Sequence, residues 1–88
     1  MRIVNARDIG ALIRDRRETL AWSQETLATR SGVSKRWVVA VEAGKPGAQI
    51  GMVLRVLSAL DVELDATVGA GDDGRALDAL LDRLGDRA

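Results

Sequence analysis

SQETLATRSGVSKRWVVAVEAGK, residues 23 to 45, decides the fold, because two short helical patterns meet there at a glycine turn and the second carries exposed cations. Ser23 caps a first short helix whose inward residues are Leu27 and Ala28, and Gly32 supplies the backbone freedom to end it tightly. Ser34 caps a second helix that stops at Gly44. At about 100° per residue, Val38 and Val41 fall on one side of that second helix, while Arg36, Val39, Ala40 and Ala43 fall opposite, with Lys35 at the edge. One side is apolar enough to pack, the other is cationic and small. This is the pattern of a helix-turn-helix.

Outward from this stretch the chain reads as mainly helical. A first helix is expected from just after Asn5, a good cap, to about residue 19, with Ile9, Leu12, Ile13 and Leu20 facing inward. Arg16 and Arg17 interrupt that stripe. Residues 44–47, with Pro46 among glycines, form a turn before a helix at 49–60. That helix is apolar on two sides. Ile50, Val53, Leu54, Leu57 and Leu60 form one stripe, expected in the core, and Met52, Val56 and Ala59 a second, expected against another copy of the chain. From Val62 the period changes. Val62, Leu64, Ala66 and Val68 alternate with Glu63, Asp65 and Thr67, as in a half-buried strand. The chain has no second strand to pair with it, so its expected mate is the same strand of a second subunit, antiparallel about a two-fold axis. Met52, Val56, Ala59, Val62, Leu64, Ala66 and Val68 are therefore the expected dimer interface. The resulting division is a domain at 1–68 and, at 69–88, a glycine linker with a short acidic amphipathic tail whose Leu77, Leu80, Leu81 and Leu84 follow helical spacing.

Charge separates along the chain although the whole is neutral. Residues 1–48 hold nine Lys or Arg against five Asp or Glu, a net +4, while 49–68 and 69–88 each carry −2. A basic body with an acidic end is compatible with phosphate at one end and another partner at the other. With 88 residues and neither cysteine nor histidine, the chain has no disulfide, no zinc finger, no thiol nucleophile and no imidazole base. Nothing suggests a metal or a cofactor, and an enzyme is a poor reading. No apolar stretch is long enough for a signal peptide or a membrane span, so a cytoplasmic protein without membrane contact is expected. A core of this size is only just sufficient alone, which also favours a dimer.

A helix that presents cations and small apolar side chains at its start suits the major groove of DNA. The residues at 23–45 resemble the Xre and Cro/repressor type of helix-turn-helix, with Gln24 opening the first short helix, Gly-Val-Ser at the turn and Glu-x-Gly-Lys closing the second. The likeness spans about residues 8 to 61. The longer run RWVVAVEAGKPGAQIGMVLRVLSALDVELDATV, 36 to 68, resembles HipB-like antitoxins, in which a strand after the helices pairs across the dimer. The resemblance implies a lambda-repressor-like domain of four to five helices plus one C-terminal strand. It implies a dimer that binds operator DNA, represses its own operon and binds a HipA-like kinase toxin. By motif position Gln24 would meet the DNA backbone or a base, and Ser34, Lys35, Arg36, Val39 and Ala40 would face the groove. Ser23, Trp37 and Lys45 complete the expected DNA-binding set. Val39 and Ala40 depart from strongly polar readers, since they donate no hydrogen bond and can only touch thymine methyls or permit close approach. Trp37 lies between the faces, with stacking on the DNA backbone and burial against the first two helices both open.

Three further expectations follow. Arg17 sits where an apolar residue belongs and Glu42 lies near the inward side of its helix, so the two are expected to form a buried or half-buried ion pair. GAGDDG, 69 to 74, satisfies a dinucleotide-binding string, yet it lacks a following strand, and Asp72 and Asp73 would repel a pyrophosphate, so it reads as a linker. The tail leucines suit either a partner such as the toxin or the domain's own surface. A stand-alone repressor and a helix-turn-helix kept only for protein contacts are the competing readings.

Overall fold

The computed structural model describes residues 2–69. Four helices follow one another, α1 (Ala6–Thr19), α2 (Gln24–Ser31), α3 (Lys35–Glu42) and α4 (Ile50–Ala59). Three start on side-chain caps that the sequence announces. Asn5 accepts the Asp8 N–H at 3.0 Å, and Asp8 in turn accepts the Val4 N–H at 2.8 Å. Ser23 and Ser34 accept the N–H groups of Thr26 and Trp37, each at 3.0 Å. Every cap satisfies a donor that the first turn of a helix would otherwise leave open.

All four helices end in the same way. Ala21, Gly32, Gly44 and Asp61 take left-handed φ values of 59°, 70°, 87° and 59°. Their N–H groups bond three residues back, and the next residue's N–H reaches five back, from Trp22 to Arg17, Val33 to Ala28, Lys45 to Ala40 and Val62 to Leu57. This paired closure turns the chain sharply and lets an apolar residue just past the helix fold onto the core. Trp22, Val33 and Val62 do that. Ala21 takes the strained conformation with a β-carbon, so Ala21→Gly should stabilise the domain by about 0.5–1 kcal/mol despite the greater freedom it gives the unfolded chain. Thermal unfolding checks this, and an unchanged or lower melting temperature would count against it.

Ile13, Leu27, Ala28, Val38, Val41, Val53, Val56, Leu57 and Leu60 form the buried core. The contacts run from α1 to α3, from α2 to α3 and from α2 to α4. Arg16, which broke the apolar stripe of α1, donates its Nε–H to the Leu60 carbonyl at 2.8 Å and so closes the C-terminal end of α4. A cation there also faces the negative end of the helix dipole.

The two stripes expected on α4 are redistributed. Val56 is fully buried in the chain's own core and is therefore not a dimer contact, while Met52 and Ala59 are half-buried. Ile50 and Leu54, expected in the core, are instead 68% and 49% exposed. The physical reason is that α4 packs on α2 along Val53, Val56, Leu57 and Leu60, an arc centred between the two stripes, which turns Ile50 and Leu54 outward. The expected strand at 62–68 is not formed. Among the described residues there is no strand, since a ladder needs a second strand and those residues offer none. Leu64, Ala66 and Val68 are exposed and Val62 packs on the core. The tail leucines and all of the glycine-rich string except Gly69 lie outside the described residues.

Candidate nucleic-acid interface

The outer face of α3 is set by which of its residues the core consumes. Val38 and Val41 are buried, and Trp37 packs partly against the core. That leaves Lys35, Arg36, Val39 and Ala43 exposed, with Ala40 half-buried beside them. Ser34 is exposed as well, but its hydroxyl oxygen serves as the cap of α3. Ser23 is likewise exposed and caps α2, its hydroxyl also donating to Thr26 Oγ1 at 2.9 Å. The sequence-predicted residues on α3 thus share one surface, and Ala43, noted on that face but left out of the candidate set, belongs to it.

Lys45 stands at the edge of this surface. Ser34, Arg36, Trp37, Lys45, Pro46 and Met52 line part of a cleft of about 440 Å³ between α3 and the turn leading to α4. Trp37 is one wall of it. The tryptophan therefore packs partly against the core on one side and borders an accessible cleft on the other.

Gln24 opens α2 and is half-buried, because its amide is held by Glu42. Nε2 of Gln24 donates to Glu42 Oε1 at 3.2 Å. A carboxylate only accepts, so this contact also sets which way round the amide stands. Glu42 in turn receives Arg17 in a two-pronged contact, from Nε to Oε2 at 2.7 Å and from Nη2 to Oε1 at 3.0 Å. The remaining Nη1 donates to the Trp22 carbonyl at 2.8 Å. The Arg17 and Glu42 side chains are only 13% and 5% exposed. Arg17 is held above the ordinary guanidinium range by its hydrogen bond to Glu42, aided by the carboxylate charges of Glu42 and Glu18 and opposed by desolvation. One arginine therefore ties α1 to the end of α3, to the α1–α2 turn and, through Glu42, to the start of α2.

Two features of the site escaped the sequence reading. Gly10 is buried in α1, where an added β-carbon would lie well inside van der Waals contact with the Val41 carbonyl oxygen and 3.0 Å from that of Glu42. The helix backbones of α1 and α3 touch there. The signal was present, since a glycine inside a helix costs about 1 kcal/mol relative to alanine and needs a packing reason, and Gly10 shares a face with Ile13 and Arg17. Arg30 stacks over Trp22, its guanidinium carbon 4.6 Å from the ring centroid, and covers the α1–α2 turn from outside. No sequence spacing announced that pair.

Among the described residues no three His, Cys, Asp or Glu side chains gather as a metal site, and no helix is long and apolar enough to cross a membrane. What the fold and its exposed cationic helix define is a helix-turn-helix module. Residues 8–77 match the helix-turn-helix domain family, and the chain belongs to that family. It is 48% identical over 64 residues to the HTH-type transcriptional regulator y4mF of Sinorhizobium fredii, covering 73% of this chain and 84% of that one. The restriction-modification controller protein C.AhdI from Aeromonas hydrophila superposes with a TM-score of 0.61 at 34% identity, covering 66% of this chain and 84% of the controller. A chain of the HipB–O1–O2 complex gives a TM-score of 0.70 over 76% of this chain and 97% of its own, at 15% identity, a likeness of fold alone. The protein is thus a homologue of helix-turn-helix transcriptional regulators.

Proposed function

We propose that the chain is a sequence-specific transcriptional repressor that binds operator DNA as a homodimer and controls its own operon. The observation that carries this is the outer face of α3, where Lys35, Arg36 and Val39 stand free while the helix behind them is braced by the Arg17–Glu42–Gln24 network. Cations at a helix start oppose the helix dipole, so an acidic ligand is the natural reason to keep them there. Arg36 and Lys35 enter the major groove in this reading. Ser23, Gln24, Ser34 and Lys45 meet the backbone and set the register, with Trp37 at the sugar-phosphate edge and Val39 and Ala40 against the bases.

The dimer in this proposal uses the outward side of α4 together with the segment after it. Ile50, Leu54, Leu64 and Val68 are exposed large apolar residues, and Leu54 and Leu64 border one surface cleft. The alternating residues 62–68 would then pair with their symmetry mates and complete a ladder that has no second strand among the described residues of one chain.

A finer version makes the dimer the antitoxin of a HipA-like kinase toxin, with the leucines of the acidic tail as the toxin-facing segment. The fold shared with the HipB complex supports it. The 34% identity to a restriction-modification controller favours a second reading, a regulator with no toxin partner. A stable complex with a HipA-like kinase encoded in the same operon separates the two.

Gel shifts with the DNA upstream of the chain's own gene test the repressor reading. A near-palindrome with half-site centres about one helical turn, or a multiple, apart should bind far better than a single half-site. Lys35→Ala with Arg36→Ala should lose about 10- to 100-fold in affinity while the melting temperature holds, since both side chains are exposed. Unchanged affinity in that double variant would refute the assignment.

A further inference from the structure

The exposed side chains of α3 restrict which base edges the helix can read. Adenine is read by a paired amide and cytosine by a carboxylate, whereas arginine and lysine read guanine. On the outer face of α3 there is no amide and no carboxylate. The helix's single acid, Glu42, is turned inward and bonded to Arg17 and Gln24. Arg36 and Lys35 are the face's charged donors, and Val39, Ala40 and Ala43 make up the rest. Val39 is 44% exposed, while Val38 and Val41 on either side of it are almost wholly buried. A β-branched residue exposed on a helix gains nothing from packing and slightly lowers helix propensity.

Resting on the repressor reading above, we propose that α3 distinguishes base pairs through pyrimidine C5-methyl groups, with Val39 as the residue that touches a thymine methyl in each half-site. Ala40 and Ala43 assist by being small, letting the helix backbone approach the bases closely enough for the valine to reach. The cations alone can pick out guanine, so A·T pairs are told from one another through the methyl, which projects into the major groove only from the thymine strand.

The test uses full-length protein and a duplex selected by it from a random-sequence pool, with each thymine in turn replaced by deoxyuridine, which removes the methyl and nothing else. Anisotropy titrations should show one thymine per half-site whose replacement weakens binding about fourfold, and about fifteenfold when both half-sites are changed. Val39→Ala should bind both duplexes alike. At the same position, a 5-methylcytosine·guanine pair should bind about fourfold better than a cytosine·guanine pair if the methyl itself is read. Uridine tolerated everywhere by the wild type would overturn the inference while leaving the repressor reading intact, and equal sensitivity in wild type and Val39→Ala would overturn the role of Val39. Failure to select any preferred duplex would refute the repressor reading and this inference with it.

Discussion

Gly10→Ala should cost about 3 kcal/mol or more of folding stability, although alanine is the better helix former. The added methyl would press on the carbonyl oxygens of Val41 and Glu42, which are backbone atoms and cannot rotate away. Overpacking against backbone forces two helices apart, and such shifts cost about 1–3 kcal/mol even when side chains can adjust. A domain of this size has total stability on the order of 5–10 kcal/mol, so much of it would go. Gly51 provides the opposite case, with nothing within 4 Å of its added β-carbon, so Gly51→Ala should be neutral or stabilising. Denaturant unfolding of the two variants side by side checks both signs. A Gly10→Ala protein as stable as wild type would mean that α1 and α3 do not meet as closely as described. Operator binding should fall with stability, because the same contact seats Glu42 against Arg17.

Arg17→Ala should be the most damaging single loss among the ion-pair residues, at about 3–5 kcal/mol. It strands the Glu42 carboxylate, whose side chain is 5% exposed, with only the Gln24 amide as partner. Glu42→Ala should cost less, since the guanidinium keeps its bond to the Trp22 carbonyl and is slightly more open to water. Replacing both together by apolar residues of similar size, Arg17→Met with Glu42→Leu, should be milder than Arg17→Ala alone, because no buried charge is left unpaired. Equilibrium denaturation in urea decides the order. If Glu42→Ala proved the worse of the two, the stranded-carboxylate account would be wrong. The double variant also frees the Gln24 amide, so its stability and its DNA affinity should part company, with affinity falling further than stability explains.

The helices were legible in residues 5–60 because their signals are local. Asn5, Ser23 and Ser34 cap within one turn, Gly32 and Gly44 permit the left-handed exit, and the apolar spacing of Leu27, Ala28, Val38 and Val41 fixes which side turns inward. The outer face of α3 could be read for the same reason, as whatever the core does not take. Arg17 and Glu42 could be paired on paper because two charges on inward faces have few other fates.

What the tertiary structure alone decided were the matters that depend on distance between elements. α4 is apolar nearly all round, so its spacing could not say which arc faces α2, and only packing sent Val56 inward and Ile50 and Leu54 outward. The bond from Arg16 to the Leu60 carbonyl joins residues 44 apart, and Gly10 matters only because α3 lies against it. Gln24 was expected at the DNA backbone or a base, and its bond to Glu42 was not legible, since the two meet only once α2 and α3 have closed. Residues 62–68 carry the alternation of a strand, but alternation specifies only which faces are apolar. A strand exists when another backbone supplies its hydrogen bonds, and that partner is not within this chain's described residues.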